Sequence, residues 1–368
     1  MDSHAEGRSP SRRSRSTDTL NPPRDRPRGV YVLELAGQDD DPLATLEARA
    51  VCSGVEPLGP GLATAHELSD RVADLALTRT ASRLVARADP TVEDAVAALR
   101  AAVFESEGSD LGGEGSDLGG EETVRVRARD VQGLTGVSTK EAERRLGGVL
   151  TDRGYGVDLE DPDRELRALF TAGVCALGWV EVETARDFEV RRPTDRPFFQ
   201  PGSMDPMLAR ALVNVAGARP GTTVVDPMCG TGGILLEAGL VGARVLGVDA
   251  QWKMARGAAE NLSTYLDDGF ATVRGDATRL PVCDAAADAV VLDAPYGKQS
   301  KVVGDLAGLV SGALLEARRI APRAVLVADR SWTNEARTAD WLVEERIERR
   351  VHRSLVRHIH LLVDEPVD

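Results

Sequence analysis

Apolar and polar positions alternate over GVYVLELAG, starting at Gly29, which predicts a strand. The next stretch, DPLATLEARAVC, changes to helical spacing, with Asp41 placed as N-cap and Pro42 in the first turn. These open a small α+β unit that is expected to run from 29 to 90. Thr91 starts a further helix, TVEDAVAALRAAVFE. Alternation returns in VRVRARD (124–130), and TKEAERRLGGVLTDRG (139–154) is amphipathic and stopped by glycine. Further strand material follows in 155–170 and 175–183, closing a second unit, 91–184. Residues 185–202 include RDFEVRRPTDRPFFQPG, which is proline-punctuated and locally basic and is expected to link two domains.

From 203 to 368 the rhythm becomes strand, helix, strand, helix. TTVVD precedes a helix from Gly233, and ARVLGVD precedes one over 252–266. TVRGD and DAVVLD follow, then a helix over 303–319 and the strand RAVLVAD. Such alternation predicts a mostly parallel sheet with crossover helices, the α/β class. The closing run WLVEERIERRVHRSLVRHIHLLVD holds two β-rich segments and is expected to form an antiparallel hairpin at the sheet edge. Two stretches fall outside this patterning. Residues 1–28 are rich in Ser, Arg and Pro and are expected to be a disordered tail. GSDLGGE at 108–114 is repeated unchanged at 115–121, which reads as a flexible loop; two copies are too few to stack into a calcium-binding repeat.

Charge changes the picture in one respect. The net charge is −14, and only four of the 45 basic residues are lysines: Lys140, Lys253, Lys298 and Lys301. This acidic, arginine-using balance looks like that of a salt-accumulating organism's proteins, the other reading being an ordinary acidic enzyme; in the former, overall acidity does not argue against a nucleic-acid partner. The N-terminal 29 residues carry +3, leaving −17 on the rest. The four cysteines (Cys52, Cys175, Cys229 and Cys283) are scattered without a CxxC pair, so no zinc site or disulfide framework is expected, and a reducing cytoplasm is. No apolar run reaches membrane-spanning length, and the N-terminus lacks a signal peptide's apolar segment.

The candidate chemistry lies at the ends of the C-terminal strands. VVDPMCGTGG (224–233) is a strand, an acid, a glycine turn and a helix start, in which Gly230 and Gly232 let the backbone approach a ligand. It matches neither GxGxxG nor a Walker loop. Asp249 ends the next strand and can accept both hydroxyls of a ribose. Asp276 ends the third, placed to accept an adenine amino group. Three acids at three successive strand ends, with Asp293 following, fit a ligand that has an adenosine and no pyrophosphate; each alone is a common turn or cap residue.

This arrangement resembles the class I S-adenosylmethionine-dependent methyltransferases, a Rossmann-like fold. In VVLDAPYGKQSK (290–301), DAPY resembles the (D/N/S)-P-P-(Y/F) turn of enzymes that methylate amino nitrogens, with Ala294 in place of the first proline. The role at that position belongs to a main-chain carbonyl, which alanine still provides. The resemblance implies a catalytic turn of Asp293, Pro295 and Tyr296. Asp293 and the next carbonyl accept the two N–H groups of a poorly nucleophilic base amine, the proline stiffens the turn, and the tyrosine stacks on the base. It implies a cofactor site of Asp226, Cys229, Gly230, Gly232, Asp249, Asp276 and Ala277, with Phe199, Pro201 and Gly202 beside the cofactor's methionine end.

The turn is shared by enzymes acting on DNA adenine, RNA bases and protein glutamine. VRVRARD…EAERRLGGVL…GYGVDLEDPDRELRALF looks like a THUMP domain, and the stretch before it like the ferredoxin-like domain that precedes THUMP. RPFFQPGSMDPMLARALVNVAG, DPMCGTGGILLEAGLVGARVLGVD and DAPYG together resemble the archaeal tRNA (guanine(10)-N2)-dimethyltransferases over about residues 30–368. That resemblance implies S-adenosylmethionine as cofactor and tRNA as partner, with no metal, DNA or membrane, in a single chain to which an activator subunit is not excluded. It implies one or two methyl transfers to N2 of a guanosine that must be extruded from a stem. The competing readings are an N2-guanine methyltransferase for another RNA position, a protein glutamine methyltransferase, and a non-catalytic RNA-binding subunit. Arg191, Arg192, Arg196, Arg349, Arg350, Arg353 and Arg357 are candidate RNA backbone contacts, and Lys298 and Lys301 could meet phosphate.

Overall fold

The computed structural model describes residues 29–36, 41–104, 122–295, 306–352 and 355–364. The expected tail 1–28 and the repeat 108–121 lie outside them, as do Tyr296, Lys298, Lys301 and Arg353. In chain order the first half forms β1 (Tyr31–Leu35), α1 (Pro42–Arg49), β2 (Cys52–Ser53), β3 (Glu56–Gly59), β4 (Leu62–Ala65), β5 (Glu67–Leu68), β6 (Thr78–Ala88), α2 (Val92–Ala101), β7 (Thr123–Asp130), α3 (Thr139–Thr151), β8 (Gly156–Val157), β9 (Arg164–Thr171) and β10 (Val174–Glu183). Asp41 caps α1, accepting from the Leu43 amide at 3.1 Å, and Thr91 caps α2 in the same way. Eight of these strands make one sheet in the order β3-β4-β1-β6-β10-β9-β7-β8, while β2 and β5 pair separately. The long strand β6 joins the two expected N-terminal units, pairing with β1 on one side and β10 on the other.

The second half begins with two short 3-10 turns, over Asp187–Arg191 and Pro193–Asp195. Then come α4 (Pro206–Val215), β11 (Thr223–Asp226), α5 (Gly233–Leu240), β12 (Arg244–Asp249), α6 (Trp252–Tyr265), β13 (Phe270–Arg274), β14 (Ala289–Asp293), α7 (Leu306–Ile320), β15 (Arg323–Ala328), α8 (Thr333–Thr338), β16 (Trp341–His352) and β17 (Leu355–Asp364). Two helices were not anticipated. α4 carries the same Asp-Pro start signal as α1, at Asp205 and Pro206, and α8 is a single short piece between β15 and the hairpin.

The seven-stranded sheet has the order β13-β12-β11-β14-β15-β17-β16, parallel from β13 to β15 and antiparallel beyond. Period-two alternation splits its side chains between two cores. Val224, Val291, Val325, Val327, Ile359 and Leu361 face one, while Val225, Val290, Leu292, Leu326 and Leu362 face the other. The first core is shared between the two halves of the chain, since Leu43, Ala44, Ala76 and Leu77 pack into it. A buried polar hub fixes that contact. Glu47 of α1 accepts from the amides of Ala76 (2.8 Å) and Leu77 (2.7 Å) and from Asn214 of α4 (2.7 Å). Asn214 also donates to the Asp74 carbonyl at 3.0 Å. Burial nonetheless raises the Glu47 pKa above its ordinary value.

Candidate active site

In the parallel sheet, β11, β12 and β13 step in one direction and β14 and β15 in the other. The strand order therefore reverses between β11 and β14, and a crevice opens at their carboxyl ends, where open α/β sheets bind ligands. Asp226 ends β11 and Asp293 ends β14, so these two acids stand on either side of the reversal.

A cavity of ≈ 170 Å³ occupies this position. Asp226, Cys229, Gly230 and Asp293 line it from the strand ends, and Pro201 and Gly202 from the loop before α4. The turn after β11 is held open from beneath. Asp226 accepts from the Met228 amide at 3.0 Å, and Asp249 accepts from the amides of Gly230 (3.1 Å) and Gln251 (2.8 Å). Gly230, at φ +51°, lies in the left-handed region that favours glycine, and a Cβ there or on Gly202 would meet open space. Gly232 faces the other way: its Cβ would meet that of Ala258 on α6 at 3.1 Å, so it sets helix packing.

The remaining residues singled out in the sequence stand elsewhere. Asp276 is exposed and turned onto its own loop, accepting from the Thr278 amide at 2.9 Å and hydroxyl at 2.8 Å, which lower its pKa. Ala277 is buried in the second core, and Phe199 points outward with 42% of its surface exposed. Pro295 is half-buried beside Asp293 in sequence but does not line the cavity, and Tyr296 lies outside the described residues. Sequence reasoning passed over Ser203 and Thr231, whose hydroxyls meet at 3.0 Å in the cavity wall, and Met254, which lines it from α6.

The expected linker is a wall of this site. Arg191 is buried and pairs with Glu237 of α5 at 2.6 Å, and Arg210 of α4 reaches the same carboxylate at 3.0 Å. Asn261 of α6 clamps the next segment, accepting from the Phe198 amide (2.9 Å) and donating to the Phe198 carbonyl (2.8 Å) and the Thr231 carbonyl (2.9 Å). These bonds hold Gln200–Met204 over the glycine turn. They also correct the reading of the arginines: Arg191, Arg196 and Arg357 are buried, and Arg349 is paired with Asp41 at 3.2 Å, so none of these is a free surface cation. Arg192 and Arg350 are exposed.

Burial shifts the titration of the three carboxylates near this crevice. Burial raises Asp226 well above its ordinary value, and Asp293 and Asp249 add to this by repulsion. Burial also raises Asp249, against the two amide donors. It pushes the Cys229 thiol upward, so that side chain stays protonated and is no nucleophile. Asp293 is pushed up to about 7 by burial, opposed by Arg357. Its Oδ1 is buried without a hydrogen-bond partner among the described residues, and its Oδ2 lies 4.0 Å from the Arg357 Nη2. Such a carboxyl can accept an N–H from a ligand and can take a proton near neutral pH.

A stability prediction follows. Asp293 binds its proton more tightly in the folded chain (about 7) than at its ordinary 3.8. Its contribution is therefore intact below pH 3.8 and is lost as pH rises towards 7. Asp293→Asn has no such loss, so its advantage over wild type in urea unfolding is expected to widen by about 2–3 kcal/mol between roughly pH 5 and 8. A constant difference across that range would contradict the shift.

Comparison with known proteins places this geometry. Residues 193–359 match the family model described as RMKL-like, methyltransferase domain. The tRNA (guanine(10)-N2)-dimethyltransferase of Methanothermobacter thermautotrophicus is 37% identical over 251 residues, 66% of this chain and 73% of that protein. The enzyme of the same name from Pyrococcus abyssi is 30% identical, with 61% and 69% covered. A tRNA (guanine(6)-N2)-methyltransferase from Thermus thermophilus is 34% identical over 47% of this chain and 51% of that one. The crystal structure of TrmN from Thermus thermophilus shares the fold at a TM-score of 0.50 and 24% identity, covering 91% of this chain and 99% of that one. With a switch-point crevice in a methyltransferase domain and relatives of this closeness, the chain belongs to the tRNA (guanine(10)-N2)-dimethyltransferase family.

Proposed function

We propose that this protein transfers one or two methyl groups from S-adenosylmethionine to the exocyclic N2 of guanosine 10 in tRNA. The observation that carries this reading is the Asp293 carboxyl, set at the switch point with one oxygen that has no hydrogen-bond partner among the described residues, in a chain related to enzymes named for that reaction. The residues present fit the cofactor: Gly202 and Gly230 leave the cavity open where side chains would fill it, and Asp293 Oδ1 awaits a donor. Asp226, Cys229, Gly230 and Asp249 would hold it, with Pro201 and Gly202 closing over one end; Gly232 sets the turn between them. Asp276 and Ala277 would serve only the far, adenine end, and Phe199 the outer rim. When bound, the cofactor supplies an electrophilic methyl carried on a sulfonium.

The chain's own residues do the rest. Asp293 accepts one N–H of the guanine amine and, with a pKa near neutrality, can take the proton that leaves when nitrogen becomes methylated. The Ala294 carbonyl is the candidate acceptor for the second N–H. Pro295 stiffens this turn, and Tyr296 is assigned to stack on the extruded base. The segment Gln200–Met204 walls the cavity on one side, with Met204 buried, and limits access of water to the reacting atoms. Residues 29–90 and 91–184 act as the ferredoxin-like and THUMP units that grip tRNA by shape. A groove of ≈ 430 Å³ between α3 and β7, with Arg127, Lys140 and Arg144 on its walls, supports that assignment. The polar hub at Glu47 and Asn214 fixes the distance from grip to crevice.

The test is nucleoside mass spectrometry of unmodified tRNA transcripts after incubation with protein and cofactor. N2-methyl- and N2,N2-dimethylguanosine are expected, and both vanish when adenosine replaces guanosine 10. Methylation persisting in that transcript would favour another guanosine, such as the one named for the Thermus relative. Transfer into a release factor instead of RNA would overturn the substrate class.

A further inference from the structure

Arg357 comes from the terminal hairpin, outside every motif that marks the cofactor turn or the DAPY turn. Strand register brings it to the crevice. Asp293 of β14 is level with Val327 of β15, and Val327 with Ile359 of β17. Arg357 lies two residues from Ile359, so it keeps the same face of the sheet and sits one pleat nearer the carboxyl edge. From there it reaches across β15 to within 4.0 Å of Asp293 Oδ2, with 7% of its side chain exposed.

Its neighbours narrow what it faces. Arg349, directly opposite Arg357 on β16, is turned onto Asp41, 3.2 Å away, so the two like charges of this cross-strand pair are directed to different carboxylates. The charged side chains lining the cavity, among the described residues, are Asp226 and Asp293. Asp249 approaches from β12 through Gly230. The buried Arg196 guanidinium lies behind Gly233 of the lining, and Arg357 is the cation set against Asp293.

We propose that Arg357 is a positioning residue for the transfer: from 4.0 Å it favours the ionised form of Asp293 on the Oδ2 side, leaving Oδ1 turned to the amine. This rests on the reading of Asp293 as the amine acceptor. Burial alone favours the neutral form of this carboxyl, and a neutral acid has one acceptor oxygen fewer to offer. The direction of the Arg357 influence on Asp293 agrees, since it opposes the effect of burial.

The test is the pH profile of single-turnover transfer to tRNA by the full chain. With Arg357→Gln the acid limb is expected to move up by about one pH unit or more, with roughly tenfold loss at pH 7 that is largely recovered by about pH 8.5. Arg357→Lys, which keeps the charge, restores the limb to near its original place. Cofactor affinity by calorimetry stays within a few-fold in both. Arg357→Met gives the same neutral test if glutamine disturbs the hairpin. Asp293→Ala, run alongside, separates the two ideas. If that variant transfers methyl normally, the reading of Asp293 fails. If it is inactive while the neutral Arg357 variants keep the original limb, or lose activity equally at every pH, the inference about Arg357 is overturned.

Discussion

Asp293→Ala is expected to lower methyl transfer by about a thousandfold or more while leaving cofactor affinity within a few-fold. The asymmetry comes from where the side chain sits. Asp293 ends β14, on the far side of the switch point from the glycine turn, and Asp226, Gly230 and Asp249, the residues proposed to hold the cofactor, keep their hydrogen bonds without it. What is lost is an acceptor for a base amine whose lone pair is delocalised into the ring, together with the group able to take its proton. Loss of one preorganised polar group at a reacting centre commonly costs about a hundred- to a thousandfold, and here two roles fall on one residue. Rapid-quench transfer to tRNA measures the chemical step, and calorimetry the cofactor. A variant with near-normal turnover would refute the assigned role, and a variant that no longer binds cofactor would move Asp293 from the amine to the cofactor.

The second large effect lies away from the chemistry. Glu237→Ala should destabilise the fold by about 3–5 kcal/mol, because Arg210 is left buried without this counter-charge and Arg191 keeps only the exposed Asp187, 2.9 Å away. Glu237 is fully buried and bonds Arg191 at 2.6 and 3.2 Å and Arg210 at 3.0 Å. For a unit of this size that corresponds to a fall of about 10 °C in Tm. The damage should also reach the site, since Arg191 anchors the segment whose continuation, Gln200–Met204, walls the cavity. Cofactor affinity is therefore expected to fall together with Tm. Thermal unfolding and calorimetry on one preparation check both; an unchanged Tm would show that the pair of arginines finds other partners.

The sequence was most legible where local chemistry and global fold agree. The short apolar runs TTVVD, ARVLGVD and DAVVLD, spaced by helical stretches, became parallel strands, and the antiparallel hairpin closed the sheet edge. Asp41 and Thr91 capped the helices assigned to them, because an N-cap satisfies amides of its own helix and needs nothing from elsewhere. The acids at the ends of β11 and β14 met in one cavity, since strand order at a switch point leaves them little choice.

What was illegible depended on contacts distant in sequence. Residues 186–202 look like a solvated basic linker, and composition alone supports that reading. Arg191 is buried there because Glu237 awaits it on α5, in the otherwise apolar run GILLEAGL; a lone acid on such a helix was the available signal. Glu47 poses the same problem on α1, where its partner Asn214 lies 167 residues away. Asp276 looked equivalent to Asp226 and Asp249, each being a strand-end aspartate, yet its carboxylate turns back onto Thr278. Spacing places a residue at the sheet edge but does not decide which hydrogen bonds its side chain will take. Arg357 was singled out only as a candidate RNA contact; its place beside Asp293 was not legible, because only the pairing of β15 with β17 brings it there.

The central claim is that the crevice between β11 and β14 holds the methyl donor and that the residue ending β14 presents the amine to it. A crystal structure of the protein with S-adenosylhomocysteine tests this most directly. The account predicts the ligand in the cavity lined by Gly202, Asp226 and Gly230, with its ribose on Asp249 and its sulfur facing Asp293. Ligand bound at another place, or a carboxylate at 293 turned away from the sulfur, would contradict it.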